Sequence, residues 1–152
     1  MLTLFWDEKG VILEHCTPRG TTVTSASYSD ILKNHLRPAI ESKRRGLLSS
    51  GVLLLHDNAR PHTVRTTAAT MTDLHFECLP HPPYSPDFAP SDFRMFGPLK
   101  EAMGGKKFHS DEEVHHTVHE WLRGLPKEFF YKGIYALCKH WRTCIERGGR
   151  LC

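Results

Sequence analysis

A short, wholly apolar run that ends in a polar cluster is the feature that most limits how this chain can fold. Residues 51–55 read GVLLL and are followed at once by His56, Asp57 and Asn58. A continuous apolar run of this length predicts a strand covered on both faces, as in the parallel sheets of α/β proteins. Because ligands of open α/β sheets bind beyond the carboxyl ends of the strands, the polar cluster is a candidate site.

Proline, glycine and β-prone runs divide the rest of the chain into short elements. Residues 2–6 and 11–16 are β-prone and surround the turn signal DEKG, so they predict a β-hairpin. Apolar spacing and turn residues predict the elements that follow: a loop over 17–27, a helix over about 31–45 that is kinked or restarted at Pro38, a helix over 63–72 and a strand over 75–79. This order of strands and helices indicates an α/β fold.

The segment from Pro80 to Pro90 is predicted to be a stiff, extended loop. It holds five prolines, which lack the N–H group and restrict the residue before them. Ser91 or Asp92 is then expected to cap a helix that runs to about Met103, because both side chains can accept from the free N–H groups of a first turn. Two apolar stripes predict two further helices in the final third of the chain: Val114, Val118, Trp121 and Leu125, then Phe130, Ile134, Leu137, Trp141 and Ile145.

The composition is that of an ordinary globular protein, since the chain has 152 residues, of which 39% are hydrophobic and 24% charged. This length fits one domain with a real core. No apolar run approaches the roughly 18 residues that cross a bilayer, and the first residues lack the basic region of a signal peptide. Five cysteines at wide spacing, without a C-x-x-C pair, favour a reducing compartment over a disulfide framework or a zinc ribbon.

Two aspartates are the candidate chemical groups, and the residue pattern alone leaves the role of each open. Asp57 follows a buried strand, where a carboxylate is costly unless it is paired or holds a metal, yet it could equally cap the turn before the next helix. Asp92 taken alone is better explained as a helix cap, and Asp87 as a turn residue in Ser-Pro-Asp.

The two segments taken together resemble the mariner branch of the mariner transposase superfamily. The motifs are HDNARPH and YSPDFAPSDF, with 34 residues between Asp57 and Asp92. The segments FWDEKGVILEH, HLRPAI, GGKKFHSDEEV and HWRTCIE are also similar to that family. The resemblance therefore covers nearly the whole chain.

The resemblance implies an α/β, RNase H-like mixed sheet with flanking helices and C-terminal helices. It also implies DNA cleavage and transfer by three acidic residues and two Mg²⁺ or Mn²⁺ ions, with Asp57 matching the second acid and Asp92 the third. Hard divalent cations prefer carboxylate oxygen, and a metal pair can activate water or a 3′-hydroxyl. Candidate contacts to DNA or to the loop of the site are His56, Asn58, Arg60, His62, Lys106 and Lys107.

The chain departs from the family pattern at its start. The family's first acid lies on a central strand upstream of the hairpin, whereas this sequence begins at the hairpin, and Asp7 is a turn residue that does not substitute for that acid. We therefore expect a single truncated catalytic domain over residues 1–152, with the core in 1–103 and a helical part in 104–152. We also expect it to lack the family's helix-turn-helix DNA-binding region.

Several expectations follow from this departure. Without the central strand, the LTLFW and GVLLL strands face each other across a gap, which either closes by pairing of the two strands or persists, with the hairpin held by helices. Metal binding should be weak with two of three acids, and the isolated chain should be inactive. DNA binding should be non-specific, and the homodimer of the intact family is doubtful here. The expected location is the nucleus.

Two functions of other classes stay open. One is a domesticated or relic module that binds nucleic acid or protein without catalysis. The other is a metal-binding module built on His115 and His119, which are spaced i, i+4 on a helix. The absence of H-E-x-x-H and the position of this pair off the apolar stripe favour a solvated face instead. The basic groups around 43–45, 106–107 and 139–150 could contact phosphates, although such charges usually serve solvation.

Overall fold

The computed structural model describes residues 2–17, 20–55, 65–79 and 89–146. In chain order the elements are β1 (Leu2–Asp7), β2 (Gly10–Cys16), α1 (Ser25–Asp30), the π-helix π1 (Ile31–Leu36), α2 (Arg37–Lys43), α3 (Leu47–Ser50), β3 (Val52–Leu54), α4 (Arg65–Asp73), β4 (Phe76–Cys78), the π-helix π2 (Ser91–Phe96), α5 (Gly97–Met103), α6 (Asp111–Arg123) and α7 (Lys127–Glu146).

Contacts divide the chain into two compact units. The first unit is Met1–Phe5 with Ile12–Pro83, and the second is Trp6–Val11 with Tyr84–Cys152. The open end of the hairpin thus belongs to the first unit and its turn to the second. The expected single domain, with its internal boundary after residue 103, stays a prediction.

The predicted hairpin is confirmed, and its turn has a clear local cause. β1 and β2 pair in a two-stranded sheet. They are joined by Glu8 and Lys9 alone, a connection short enough only for antiparallel strands. The Asp7 carboxylate accepts a 2.9 Å hydrogen bond from the Lys9 backbone N–H, which closes the turn. Gly10 then has a φ of +129°, a conformation that a side chain would strain.

The apolar run forms a parallel pair, as predicted. Val52 of β3 is in register with Phe76 of β4, and Leu54 with Cys78. The Leu79 N–H extends the pair with a 2.9 Å hydrogen bond to the Leu54 carbonyl. Both strands are shorter than the sequence indicated, because they occupy only Val52–Leu54 and Phe76–Cys78.

The expectation that β3 is covered on both faces is wrong. Val52 and Leu54 are buried, but Leu53 between them is 59% exposed. Successive side chains of a strand point to opposite faces, and the core lies on the face that carries Val52 and Leu54. The register partner of Leu53 is Glu77, which is also exposed. In the described part of the chain, this sheet is therefore half-buried.

The hairpin and the parallel pair are separate sheets, since no ladder between them occurs among the described residues. Of the two arrangements expected without a central strand, pairing of the two strands is not seen in the described ranges. Side-chain packing takes the place of strand pairing here. Ile12 belongs to the same buried cluster as Val52, Leu54 and Phe76.

A helix also holds the open end of the hairpin. The Lys43 ammonium at the end of α2 donates a 2.8 Å hydrogen bond to the Ile12 carbonyl. The helical segment before it supplies the centre of the same cluster with side chains that are 2% exposed or less: Tyr28, Leu32, Leu36 and Ile40. Helix packing and one side-chain hydrogen bond thus support this end of the hairpin.

Prolines explain both π-helical segments. Pro38 lies two residues beyond π1 and Pro98 two residues beyond π2. Proline lacks an N–H group, and its ring collides with the carbonyl four residues earlier. A wider turn relieves this conflict, and the Arg37 N–H accordingly donates to Leu32, five residues back. The predicted kink or restart at Pro38 is therefore a widened turn within a continuous helical segment.

The second unit contains the predicted C-terminal helices. Ser110 caps α6 by accepting a hydrogen bond from the Glu113 N–H. Val118 and Leu122 of α6 and Phe130 and Leu137 of α7 are buried. Ile145, which the apolar stripe placed in the core, is instead 77% exposed.

The cysteines differ in state. Cys16, Cys78 and Cys138 are free thiols. Cys144 is disulfide-bonded, which the odd count and wide spacing of the cysteines did not predict. Separately, no helix in the described ranges is both long and apolar enough to cross a membrane.

A histidine pair stands out in the first unit. The rings of His15 on β2 and His35 on π1 lie with centroids 4.6 Å apart. His15 Nδ1 is buried and has no hydrogen-bond partner within the described ranges. Burial and then the nearby His35 lower the pKa of His15 from its usual 6.5, while Asp30 opposes them. Asp30 Oδ2 lies 3.8 Å from His35 Nε2.

We predict that the free energy of unfolding falls as the pH drops below about 6.5. In this range the unfolded chain binds a proton at residue 15 more readily than the folded chain does, so stability rises with pH. The contribution is complete above the unfolded pKa and is lost as the pH falls through the lower folded pKa. Urea titrations between pH 5 and pH 7.5 measure it. The dependence of the free energy of unfolding on pH should be weaker in His15→Gln than in the wild type. It should be unchanged in His109→Gln, which replaces an exposed histidine. The same pH dependence in all three proteins would contradict the role given to His15.

Candidate functional site

Strand β3 leads directly to the first candidate aspartate. Its last residue, Leu54, is 9% exposed and belongs to the buried cluster of the first unit. The Leu54 carbonyl also accepts from the Leu79 N–H, so the carboxyl end of the strand is fixed from two sides. The site residues predicted just beyond it lie outside the described residues: His56, Asp57, Asn58, Arg60 and His62.

The second candidate, Asp92, lies inside a helix and not at its cap. It is the second residue of π2, and the position before π2 is held by Pro90, whose backbone is already helical. The Phe93 N–H donates to the Ala89 carbonyl at 3.1 Å, so helical bonding begins before Ser91. Pro90 itself offers no side-chain hydrogen bond to this end of the helix. The expectation that Ser91 or Asp92 holds the cap position of the helix is therefore wrong.

The backbone at Asp92 differs from that of a helix cap. Residues at the helix cap have non-helical backbone angles and use the side chain to satisfy a free N–H group. Asp92 has a helical backbone and is preceded by Pro90 in the cap position. Asp92 therefore does not hold the cap position, and its role as a metal ligand stays a prediction.

The start of the helix that carries Asp92 is tied to the hairpin. The Trp6 indole Nε1–H at the end of β1 donates a 3.0 Å hydrogen bond to Ser91 Oγ. The Trp6 ring also packs against the Phe130 ring of α7, at 5.9 Å between centroids. A partly buried indole N–H needs an acceptor, and the Ser91 hydroxyl supplies it next to Asp92.

A second contact holds the same helix two residues after Asp92. Arg94 Nε–H donates a 3.1 Å hydrogen bond to the Phe129 carbonyl in the first turn of α7. The Arg94 guanidinium carbon lies 4.3 Å from the centre of the Phe129 ring, a cation–π contact. The next residue, Met95, is fully buried.

Gly133 makes the Arg94 contact possible. A Cβ atom at Gly133 would lie 2.7 Å from Arg94 Cγ and 3.1 Å from Trp6 Cη2. Gly133 is four residues after Phe129 on α7, so it lies beside the carbonyl that Arg94 reaches. A larger residue would push both side chains away.

The other candidates do not assemble a site within the described ranges. Lys106 and Lys107 are exposed and follow α5, where they are accessible to a polyanion. His115 is half-buried and His119 exposed on α6. No group of three or more metal-binding side chains occurs among the described residues, so the histidine module gains no support.

One of the basic groups has an internal role. The Lys43 ammonium donates to the Ile12 carbonyl, and the Arg44 guanidinium donates to the Lys43 carbonyl at 3.0 Å. Of this run, Arg45 is exposed and makes no hydrogen bond to the described residues. The run therefore supports the hairpin as well as adding surface charge.

Sequence reasoning did not identify Trp6, Arg94 or Gly133. The Trp6–Ser91 bond joins residues 85 positions apart, and neither side chain belongs to a pattern that indicates a partner. The available signals were a tryptophan just before the turn and a single glycine inside the α7 stripe.

Comparison with known proteins places these features in a family context. The family model "Transposase (partial DDE domain)" matches residues 1–50. The Mariner Mos1 transposase of Drosophila mauritiana is 38% identical over 152 residues, which are 99% of this chain and 44% of that protein. The human histone-lysine N-methyltransferase SETMAR is 32% identical over 150 residues, which are 98% of this chain and 22% of that protein. The chain thus spans less than half the length of either relative.

Solved structures agree with these sequence matches. The Mos1 transposase catalytic domain with Raltegravir and Mn superposes with a TM-score of 0.93 at 37% identity, over 99% of this chain and 76% of that one. The Mos1 paired-end complex with Mn gives the same TM-score and identity, over 44% of its chain. The strand transfer complex gives a TM-score of 0.89 at 38% identity. The fold is RNase H-like, which confirms the fold class that the motifs implied.

Proposed function

The chain belongs to the mariner family of DNA transposases, and we propose that it forms the part of the catalytic domain that contributes two of the three metal-binding carboxylates. Family membership rests on 37% identity to the Mos1 catalytic domain, of which the chain covers 76%. The activity proposed is metal-dependent cleavage and transfer of DNA strands. It belongs to the complete catalytic assembly and not to these 152 residues alone.

The proposed ligands are Asp57 and Asp92, which match the second and third acids of the family. Both offer carboxylate oxygen, the donor that Mg²⁺ and Mn²⁺ prefer, so the donor set fits these ions. Once bound, a pair of such ions activates the attacking oxygen and stabilises the leaving oxygen. The observation that best supports the proposal is the 37% identity, over 99% of this chain, to the Mos1 catalytic domain whose structure was solved with Mn.

The proposed substrate is DNA, bound through its phosphates. Mos1 structures include paired-end and strand transfer complexes, so DNA is the partner of that relative. In this chain, Lys106 and Lys107 are exposed cations that can contact phosphates. The chain carries a net charge of +3, which favours a polyanionic partner. A DNA substrate also leads us to propose the nucleus as the location.

A second function, binding without catalysis, has one observation in its favour. A segment similar to 98% of this chain makes up 22% of SETMAR, a protein named for a different activity. A domain of this family can therefore persist inside a protein with another function. Metal binding at Asp57 and Asp92 separates the two functions, since a module that only binds DNA does not need it.

We expect weak Mn²⁺ binding that depends on both aspartates. With two carboxylates, the dissociation constant should be on the order of 1 mM, as in weak protein sites with few charged ligands. The electron paramagnetic resonance signal of free Mn²⁺ measures it. Asp57→Asn and Asp92→Asn should each remove most of the binding, whereas Asp73→Asn, an exposed aspartate on α4, should not. Equal affinity in all four proteins would contradict the proposed site.

DNA binding by this chain should be independent of sequence and strongly dependent on salt. Phosphate contacts carry no sequence information, and each one contributes a slope of about −0.9 in a plot of log affinity against log salt. Replacing Lys106 and Lys107 with alanine should reduce the slope by roughly 2. The matched control replaces Lys9 and Lys33, which are also exposed. Fluorescence anisotropy with two duplexes of unrelated sequence measures the affinity and its salt dependence. A clear preference for one duplex at physiological salt would refute sequence-independent binding.

A further inference from the structure

We propose that Trp6 and Arg94 are positioning residues that hold the backbone at Asp92 in place for metal binding. The inference rests on the proposed function, because it concerns the same ligand. It goes further in assigning a role to two side chains that contact neither the metal nor DNA in the proposed mechanism. All the residues that carry it belong to the second unit.

The first contact acts immediately before Asp92. Trp6 Nε1–H and Ser91 Oγ are 3.0 Å apart, a good distance for a hydrogen bond. The tryptophan is itself held by its ring contact with Phe130 on α7. The Asp7–Lys9 bond closes the turn directly after it. Ser91 is therefore attached to a fixed point and not to a free surface side chain.

The second contact acts two residues after Asp92. Arg94 reaches the Phe129 carbonyl at 3.1 Å and also lies over the Phe129 ring at 4.3 Å. Its planar guanidinium group makes both contacts at once, which lysine cannot do. Gly133 provides the space for this side chain. The helix is thus held at Ser91 and at Arg94, which flank Asp92 and Phe93.

Two contacts that flank a residue restrict both the translation of its helix and its rotation about the helix axis. Metal ligands must be held within about 0.5 Å of the productive geometry, and loss of an outer hydrogen bond typically lowers metal affinity 10–100-fold. Both contacts lie near the start of this helix and fix its backbone on either side of Asp92. Their loss should therefore weaken metal binding more than it weakens folding.

The test compares Mn²⁺ affinity with thermal stability in matched variants of the full chain. Ser91→Ala removes the acceptor and Trp6→Phe removes the donor while keeping a ring. We expect each to raise the dissociation constant for Mn²⁺ about tenfold and the double variant to be no worse than either. Ser91→Thr retains the hydroxyl and should restore binding. The melting temperature should change little in Ser91→Ala and Ser91→Thr.

A second pair of variants tests the Arg94 contact. Gly133→Ala should displace Arg94 and weaken Mn²⁺ binding to a similar extent. Gly97→Ala on α5 is its control, since a Cβ atom there meets nothing within 4 Å. If Gly133→Ala fails to fold, Arg94→Lys tests the same contact, because it keeps the charge and loses the planar geometry.

The outcomes separate this inference from the proposed function. If Asp92→Asn loses Mn²⁺ while Ser91→Ala, Trp6→Phe and Arg94→Lys bind as the wild type does, the positioning role is overturned and the metal site stands. If Asp92→Asn binds as the wild type does, the metal site and the positioning role both fall. Reduced binding only in proportion to reduced stability would also overturn the positioning role.

Discussion

The first unit of this structure depends on apolar packing between two sheets that do not pair with each other. β1 and β3 do not share a ladder, so the hairpin gains no backbone hydrogen bonds from the parallel pair in the described part of the chain. Ile12 instead shares a buried cluster with Val52, Leu54 and Phe76. Because dispersion and burial are non-directional, they can hold the two sheets in one core, but they specify register less strictly than a ladder does. The Lys43–Ile12 hydrogen bond is directional, so it helps to fix the position of the hairpin on this core.

The hairpin contributes to the fold at one end and to the candidate site at the other. Its open end joins the core of the first unit, whereas Trp6 next to its turn belongs to the second unit and bonds Ser91. Prolines act on both helical segments in the same way, by widening the turns before Pro38 and Pro98. The segment that carries Asp92 is one of these π-helices, a type of turn that is often found at functional sites. Local sequence thus shapes the backbone, and long-range contacts hold it in place.

The sequence predicted features that depend on local patterns. The DEKG turn predicted the hairpin, and the GVLLL run predicted a strand in a parallel pair, which it forms with β4. The same run misled about burial, because an apolar residue such as Leu53 does not reveal whether anything covers it. Asp57 and Asp92 were found through their motifs, HDNARPH and YSPDFAPSDF. Trp6, Arg94 and Gly133 were missed because side-chain contacts across 85 positions, or between a helix and one glycine, leave no periodic signal.

The central claim is that Asp57 and Asp92, distant in sequence, hold one divalent ion. Anomalous diffraction from crystals soaked in Mn²⁺ tests it most directly, because the metal is located independently of the protein atoms. Data collected on both sides of the manganese absorption edge distinguish Mn²⁺ from other scatterers. If both aspartates hold one ion, the anomalous peak will have carboxylate oxygens of both Asp57 and Asp92 as ligands. A peak elsewhere, for example between His115 and His119, or no peak beside Asp92 at a saturating Mn²⁺ concentration, would contradict it.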